Sequence, residues 1–128
     1  MRLAMLAIFA SFLGFSLAFA EDPPKPISPT EAAKKVNEEV TLQMEVKSAT
    51  LRESVCFLNS EEDFKNAKNF TVFLDKESLA KFKEAKIEDP AAHFKGKTIQ
   101  VKGKVSLFRD RPEIKVSGPD AIKIVEKK

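Results

Sequence analysis

The chain has very little of several residue types on which small proteins often rely. It contains one Cys and one His among its 128 residues. A single Cys excludes a framework of internal disulfides, and a single His excludes a His-rich metal site. Trp and Tyr are absent, all 11 aromatic side chains are Phe, and Gly occurs four times. The sequence accordingly contains no Gly-rich loop of the kind that cradles phosphate groups.

The sequence does have enough apolar residues to build a core. Hydrophobic residues make up 43% of the chain, and 22 Lys and Arg stand against 19 Asp and Glu, a net charge of +3. A chain of this length and composition is expected to form one folded domain. Because the excess of cations is small, only their positions can indicate an anionic ligand.

The first twenty residues have the organisation of a secretory signal peptide. Arg2 supplies a positive start, residues 3–20 carry no charge, and Ala18-Phe19-Ala20 is a small-x-small cleavage pattern ahead of the Pro-rich leader, residues 21–27. We expect cleavage after Ala20, no membrane segment in the mature chain, and a secreted or periplasmic protein. The uncharged run is also about long enough to span a bilayer, so an uncleaved anchor is the alternative.

Residues 28–128 form the predicted domain, and helix signals occur at three places in it. Residues 28–31 (Ser-Pro-Thr-Glu) have the spacing of a capping box, with Pro at the first helical position, which predicts a short helix through about Val36. Residues 78–85 have apolar side chains three positions apart. Residues 89–96 begin with Asp-Pro and end in Gly, which is typical of one or two helical turns.

Alternation of apolar and polar side chains predicts the strands. The predicted strands are 40–46, 55–58, 70–74, 99–107 and 113–117, with a last extended segment over 121–125. Residues 49–54 break the alternation and are predicted as a loop, and residues 108–112 as a turn. Phe64 is expected to anchor the polar segment before the third strand. Gly103 falls on the inward phase of the fourth strand, where a barrel needs a bend or bulge.

Three strands, a helix and two further strands are the element order of the OB fold, a five-stranded Greek-key barrel. We therefore predict a mainly β protein, with a helix between strands 3 and 4 and a short N-terminal helix. An open antiparallel sheet with one helix packed on it is the alternative. The Gly in the middle of a strand and the position of the helix favour a closed barrel.

Several stretches of the sequence carry a resemblance to a known family. They are residues 31–36, 40–46, 56–60, 69–74, 94–105 and 112–116. Through them, residues 30–125 resemble small secreted bacterial OB-fold proteins with nucleic-acid-binding-like domains. The resemblance implies the barrel and says little about a ligand. Asn37 stands where relatives often have Gly before the first strand, and Asn also tolerates a left-handed backbone.

Two Phe residues are candidates for stacking against a ligand. OB folds bind oligonucleotides on the outer face of strands 2 and 3 and in the loops joining strands 1–2 and 4–5. If Cys56 and Leu58 point inward, Phe57 points outward, and the same phase places Phe73 outward on strand 3. Base–aromatic stacking is worth about 1–3 kcal/mol per base. The alternative is that one or both rings pack beneath a helix.

Cations are expected around these two rings. Arg52 lies in the predicted 1–2 loop, Arg109 and Arg111 lie in the 4–5 turn, and outward Lys residues follow on strands 4 and 5. The predicted ligand-binding cations are Arg52, Lys102, Lys104, Arg109, Arg111 and Lys115. Their side chains are suited to phosphate contacts. An ordinary solvated surface with Lys at strand edges is the alternative, and nearby acidic residues weaken the field.

The sequence favours an exported, non-catalytic binding module for single-stranded nucleic acid or another anionic polymer, with no cofactor and no metal. A protein- or envelope-interaction module that uses the same face is the second hypothesis. A secreted nuclease is the third, and it is disfavoured because no clustered Asp pair is available to hold a metal ion.

The only thiol and the only imidazole are not expected to form a site. Cys56 is predicted to be a small buried hydrophobe, with a link between two chains as the alternative. His93 is predicted to be a surface or packing residue rather than a metal ligand, because no second ligand lies near it in the sequence.

Overall fold

The computed structural model describes residues 25–125. The predicted signal peptide (residues 1–20), the first part of the Pro-rich leader (21–24) and the last three residues (126–128) lie outside the described residues. The described part is mainly β, with seven strands and three short α-helices. No helix of residues 25–125 has both the length and the apolar character needed to cross a membrane.

The secondary structure is built from short elements. In chain order these are α1 (Pro29–Ala32), β1 (Glu39–Glu45), β2 (Ser48–Arg52), β3 (Val55–Asn59), β4 (Thr71–Leu74), α2 (Lys76–Glu84), α3 (Pro90–Phe94), β5 (Thr98–Phe108), β6 (Arg111–Val116), a 3-10 turn (Pro119–Ala121) and β7 (Ile122–Val125).

Side-chain caps begin each α-helix, as the sequence predicts for α1 and α3. Ser28 Oγ accepts a hydrogen bond from the backbone N–H of Glu31, and the Glu31 carboxylate accepts one from the N–H of Ser28, both at 3.2 Å. Asp75 and Asp89 each accept a hydrogen bond from the backbone N–H three residues later, at 2.9 and 3.1 Å. These bonds satisfy N–H groups that have no partner within the helix.

Helix α1 is shorter than predicted. It ends at Ala32 rather than near Val36, and Asn37 then adopts a positive φ of 73°. The N–H of Asn37 donates to the carbonyl of Val105 at 2.7 Å. The left-handed residue turns the chain from the helix region into β1, which confirms the expectation that Asn37 tolerates a left-handed backbone.

The strands form a sheet in the order β1-β5-β6-β4-β3-β2, and β7 adds to β5. All pairs are antiparallel except β4 and β6, which are parallel. The two ends of this order, β1 and β2, are separated in the chain only by Val46 and Lys47. The N–H groups of these two residues donate to the carbonyls of Lys97 and Asn59. The sheet therefore has seven strands instead of the predicted five, and two helices lie between β4 and β5.

Two loop predictions are wrong. Residues 49–54 were expected to be a loop, but most of them belong to β2, which pairs with β3. Residues 50–52 are all exposed, so no alternation of burial marks this strand in the sequence. The expected turn over 108–112 is also shorter, since only Arg109 and Asp110 join β5 to β6. Pro112 lies within β6, opposite Leu107.

The last residue of the Pro-rich leader belongs to the sheet rather than to a tether. The N–H of Ile27 donates to the carbonyl of Thr41 at 2.8 Å, and its own carbonyl accepts from the N–H of Gln43 at 2.9 Å. Ile27 thus forms a short parallel bridge with β1. The folded region begins at least one residue earlier than the sequence indicates.

The core is made of inward-facing side chains from the α-helices and from every strand except β2. Cys56 is among them and is fully buried. Burial, with a smaller contribution from the charge of Asp89, raises the pKa of the Cys56 thiol to about 12. A fully buried neutral thiol acts as a small hydrophobe, as predicted, and is not placed to link two chains. His93 is exposed, with its ring against Phe94.

Gly103 lies at the point where β5 changes its partner. Residues 98–104 pair with β1, whereas residues 105–108 pair with β6. A Cβ atom on Gly103 would lie 2.5 Å from Cγ2 of Ile114, which is closer than Cβ atoms approach other atoms in proteins. The absence of a side chain therefore allows β5 to bend toward β6, in agreement with the bend predicted at this Gly.

Gly103→Ala is expected to lower the free energy of unfolding by about 1–3 kcal/mol, because the added methyl group forces Ile114 or the backbone to shift. Urea denaturation followed by circular dichroism measures the change. Gly118→Ala is the matched control, since a Cβ there would meet only the flexible side chain of Lys81, at 3.1 Å. An equal decrease in the free energy of unfolding for the two variants would contradict the close approach of Gly103 to Ile114.

Candidate ligand-binding cleft

A cleft of about 460 Å³ lies beside β3, between two tight hairpin turns. Glu53 and Ser54 form the turn from β2 to β3, and Arg109 and Asp110 form the turn from β5 to β6. We call this space the hairpin cleft. Its lining residues are Thr50, Arg52, Phe57, Asn59, Phe64, Thr71, Phe108, Arg109, Arg111, Pro112 and Glu113. Its volume is in the range of small-molecule sites.

Strand register places much of the lining on one face of the sheet. One row across the strands consists of Thr50, Phe57, Phe73 and Lys115. The next row consists of Ser48, Asn59, Thr71, Glu113 and Ser106. Residues directly opposite one another on neighbouring strands point to the same side. The two rows alternate with the buried residues Cys56, Leu58 and Val72, so they face away from the core.

A polar network fixes the second row. Asn59 Oδ1 accepts hydrogen bonds from Thr71 Oγ1 at 2.8 Å and from Asn69 Nδ2 at 3.1 Å. Asn69 Oδ1 in turn accepts from the backbone N–H of Glu61 at 3.0 Å. The network joins β3 and β4 to the segment that carries Phe64. Because these groups satisfy one another, they hold the floor of the cleft in one arrangement.

The turn between β5 and β6 is strained. Arg109 and Asp110 have φ values of 54° and 67°. Positive φ at both central residues is the signature of a type I′ turn, for which Asn-Gly is the favoured pair. In the other hairpin Glu53 also has a positive φ, of 26°. Since residues other than Gly, Asn and Asp lose about 1 kcal/mol or more in this region, Arg109 in one turn and Glu53 in the other are each held at a cost in stability.

The three arginines of the cleft have no acidic partner within the described part of the chain. The ion pairs among residues 25–125 are Lys47 with Glu61 and Lys115 with Asp75. Arg52, Arg109 and Arg111 take part in neither pair and are exposed. Their charge is therefore available to an anion that enters the cleft.

Two of the guanidinium groups contact a Phe residue, Arg111 through the backbone carbonyl of Phe64 and Arg109 through the ring of Phe108. Arg111 Nη1 donates to the carbonyl of Phe64 at 2.9 Å, which holds it against the segment between β3 and β4. The guanidinium carbon of Arg109 lies 5.2 Å from the ring centroid of Phe108. The rings of Phe64 and Phe108 are each 57% exposed, whereas most large apolar side chains of the domain are buried. Exposed rings next to cations are an arrangement suited to a flat anionic ligand.

Glu113 is the only carboxylate among the lining residues of the cleft. It is half-buried, and this burial raises the pKa of its carboxyl group, with a partial offset from the positive charge of Lys115. No hydrogen bond or ion pair to its carboxylate occurs among residues 25–125. The cleft thus holds one acceptor group that its own surroundings leave without a donor.

The structure brings together four of the eight predicted site residues: Arg52, Phe57, Arg109 and Arg111 all line the cleft. Phe73 is next to them without lining it. The ring centroids of Phe57 and Phe73 are 5.4 Å apart with their planes tilted by 45°, and both rings are half-buried. The pair therefore packs mainly ring against ring.

The three predicted lysines lie elsewhere. Lys115 forms an ion pair with Asp75 at 3.2 Å. The hydrogen bond from the backbone N–H of Ser78 lowers the pKa of the Asp75 carboxyl group; burial opposes this, and the hydrogen bond and charge of Lys115 lower the pKa further. Lys102 and Lys104 are on the part of β5 that pairs with β1, and they do not line the cleft.

Two rings that the structure places in the cleft, Phe64 and Phe108, were not predicted from the sequence as site residues. Phe64 was expected to anchor its polar segment by burial, and Phe108 was assigned to a turn, yet both are more than half exposed. For Phe64 a signal was present. A Phe within a polar segment has no neighbouring apolar residues with which to form a buried face, so exposure is its natural state. Asn59, Thr71 and Glu113 were not predicted because only the register between β3, β4 and β6 brings them together, and the sequence does not show that register.

Between residues 25 and 125 no group of three or more His, Cys, Asp or Glu side chains is arranged so that it could hold a metal ion.

Comparison with solved structures relates the fold to proteins of low sequence identity. An OBody bound to hen egg-white lysozyme has a TM-score of 0.58 and 19% identity, over 84% of this chain and 99% of that chain. Asparaginyl-tRNA synthetase from Pyrococcus horikoshii has a TM-score of 0.52 and 15% identity, over 78% of this chain and 23% of that chain. Aspartyl-tRNA synthetase from Entamoeba histolytica has a TM-score of 0.53 and 15% identity, over 79% of this chain and 21% of that chain.

These likenesses support the OB fold for this chain. The chain spans nearly all of the OBody but less than a quarter of each synthetase. No family model matches the sequence, and no curated protein matches it. The solved structures therefore establish the fold alone.

Replacing Arg109-Asp110 by Asn-Gly is expected to raise the free energy of unfolding by about 1 kcal/mol, because Asn and Gly adopt the type I′ conformation with little strain. Urea denaturation measures the difference. Ser54→Gly in the other hairpin is the control, since Ser54 does not have a positive φ and Gly there only increases the entropy of the unfolded chain. A rise in the free energy of unfolding for Ser54→Gly, or no rise for the Asn-Gly variant, would refute strain in the turn.

Proposed function

We propose that the protein is an exported, non-catalytic OB-fold binding module whose hairpin cleft takes single-stranded nucleic acid or another anionic polymer. The observation that carries the proposal is the meeting of three arginines without acidic partners and the rings of Phe57, Phe64 and Phe108 in one cleft. Guanidinium groups bind phosphate, and exposed rings stack on bases. A single-stranded nucleic acid offers both.

The proposal includes a closed five-stranded barrel. We take β1 and β2 as two halves of one bent strand, because only Val46 and Lys47 separate them. With that assignment β3, β4, β5 and β6 are the second to fifth strands. The cleft then lies against the second strand, bordered by the 1–2 and 4–5 loops, where OB folds bind oligonucleotides. The partner change of β5 at Gly103 supports this closure.

Export is part of the same proposal. The charge, the apolar run and the cleavage pattern of residues 1–20 support a cleaved signal peptide and a secreted or periplasmic location, without a membrane segment after cleavage. We assign no catalytic step to the protein. The cleft supplies one carboxylate, Glu113, which is fewer than a metal-dependent nuclease needs to hold its ion.

The comparisons are compatible with two kinds of partner. Two structures with this fold are tRNA synthetases by name, which agrees with a nucleic-acid ligand. The OBody was solved bound to hen egg-white lysozyme. That complex favours a protein- or envelope-interaction module, using the same face, as the second candidate function.

The role of the arginines can be tested by fluorescence anisotropy with a labelled dT10 oligonucleotide at several salt concentrations. Each contact to a single-strand phosphate contributes about 0.7 to the slope of log affinity against log salt. Arg52→Gln and Arg109→Asn are each expected to weaken binding and to reduce the slope by about that amount. Asn suits position 109 because it tolerates the positive φ found there.

Lys102→Gln is the matched control, because it removes one cation from the same strand that carries Phe108 but outside the cleft. It is expected to leave affinity nearly unchanged. An equal loss from Lys102→Gln would place the ligand elsewhere. A flat anisotropy trace at micromolar protein in low salt would refute nucleic-acid binding, and salt-insensitive capture of an envelope protein would favour the second candidate.

A further inference from the structure

Glu113 is unexplained by a site that binds only anions. Its carboxylate lies in the wall of the hairpin cleft together with three arginines, where it repels phosphate. It is half-buried and has no donor among the described residues. Water still reaches its oxygens, since Ser78 Oγ and not Glu113 is the fully buried polar atom without a partner among the described residues, but partial burial carries a partial desolvation penalty. A ligand that donates hydrogen bonds at this point would remove that penalty.

The neighbours of Glu113 in its row do not fill this role. Thr71, directly opposite Glu113 on β4, donates its hydroxyl hydrogen to Asn59 Oδ1 at 2.8 Å. The same Asn59 oxygen also accepts from Asn69. These polar groups are satisfied among themselves, whereas the Glu113 carboxylate keeps both oxygens available. The guanidinium groups that line the cleft carry donors, but none of them is hydrogen-bonded or ion-paired to Glu113 among the described residues, and Arg111 Nη1 donates instead to the carbonyl of Phe64.

Possible ligands differ in the hydrogen-bond donors that they can offer to this carboxylate. Phosphate, sulfate and other fully ionised anions have no donor to offer it. Guanine presents N1–H and the N2 amino group side by side on one edge, matching the two oxygens of a carboxylate. Adenine and cytosine offer one amino group beside an acceptor nitrogen. Thymine and uracil offer one N–H between two carbonyl groups, which a carboxylate repels.

The other walls of the cleft fit a nucleotide. Phe57 and the exposed ring of Phe108 give flat apolar surfaces on which a base can stack. Arg52 on one hairpin and Arg109 on the other stand at the two edges, where the phosphates on either side of a bound base would lie. A volume of about 460 Å³ suits one nucleotide better than a long stretch of chain.

We propose that the hairpin cleft, given that it binds nucleic acid as inferred above, selects guanine in a single strand through the carboxylate of Glu113. Glu113 accepts the N1–H and N2 amino hydrogens of one unpaired guanine, which stacks against Phe57 and Phe108. The arginines at both edges hold the flanking phosphates. Glu113 thereby determines base preference, and the arginines determine affinity for the strand.

The test uses labelled nonamers of dT with one central nucleotide, either dT, dG, dA, dC or deoxyinosine. Wild-type protein is expected to bind the dG strand about tenfold more tightly than the all-dT strand. Deoxyinosine lacks the N2 amino group and is expected to recover only part of this gain. Because inosine changes the ligand and not the protein, this arm remains valid even if a variant fails to fold.

Glu113→Gln is expected to abolish the preference for dG while leaving affinity for the all-dT strand equal or higher, since it removes a negative charge from the cleft. Glu53→Gln is the matched control, because it removes a carboxylate from the neighbouring hairpin without altering the lining. It is expected to keep the preference for dG.

The outcomes distinguish the two proposals. If no nonamer binds, the nucleic-acid function fails and the guanine site fails with it. If all nonamers bind equally, the function stands and selection of guanine is refuted. If dG is preferred to the same degree by wild type and Glu113→Gln, or if the deoxyinosine strand binds wild type as tightly as the dG strand, Glu113 is not the selecting group.

Discussion

The close approach of Gly103 to Ile114 is the constraint on which the candidate site depends. At this point β5 leaves β1 and pairs with β6. A side chain at Gly103 would collide with Ile114, so the bend requires the one residue without a Cβ. Beyond the bend, β5 brings Phe108 to the hairpin, and β6 returns beside β4. The parallel pairing of β6 with β4 then sets Glu113 opposite Thr71.

The scarcity of Gly has a second consequence at the cleft. Among residues 25–125 the left-handed positions outside Gly96 are filled by other residue types, namely Asn37, Glu53, Lys86, Arg109 and Asp110. Asn and Asp accept this conformation with little cost, but Arg does not. Three of these positions belong to the two hairpins that border the cleft. A strained Arg at the tip of a turn is the pattern expected where binding, rather than stability, determines the residue.

The sequence predicted those features that depend on local pattern, and it failed where partners are distant. Caps, alternation, Asn37 and Gly103 are local, and outward phase put Phe57 on the face of the sheet that lines the cleft. The alternation along a strand indicates which side chains face outward, but it does not indicate which strand is the neighbour. Lys104 and Phe108 share the outward phase of β5, but Lys104 precedes the bend and pairs with β1, whereas Phe108 follows it and joins the cleft. Strand β2 was missed because its exposed residues carry no alternation.

Chemical-shift mapping of the backbone amides during titration with dT10 tests the central claim most directly, because it reports the location of the ligand without any substitution. If the ligand occupies the hairpin cleft, the shifts are expected to concentrate in residues 50–59, 71–73 and 106–113, which form the strands and turns around it. Shifts concentrated in residues 39–44 and 98–104, where β1 pairs with β5, would contradict it. So would saturation of binding with no shift in either hairpin turn.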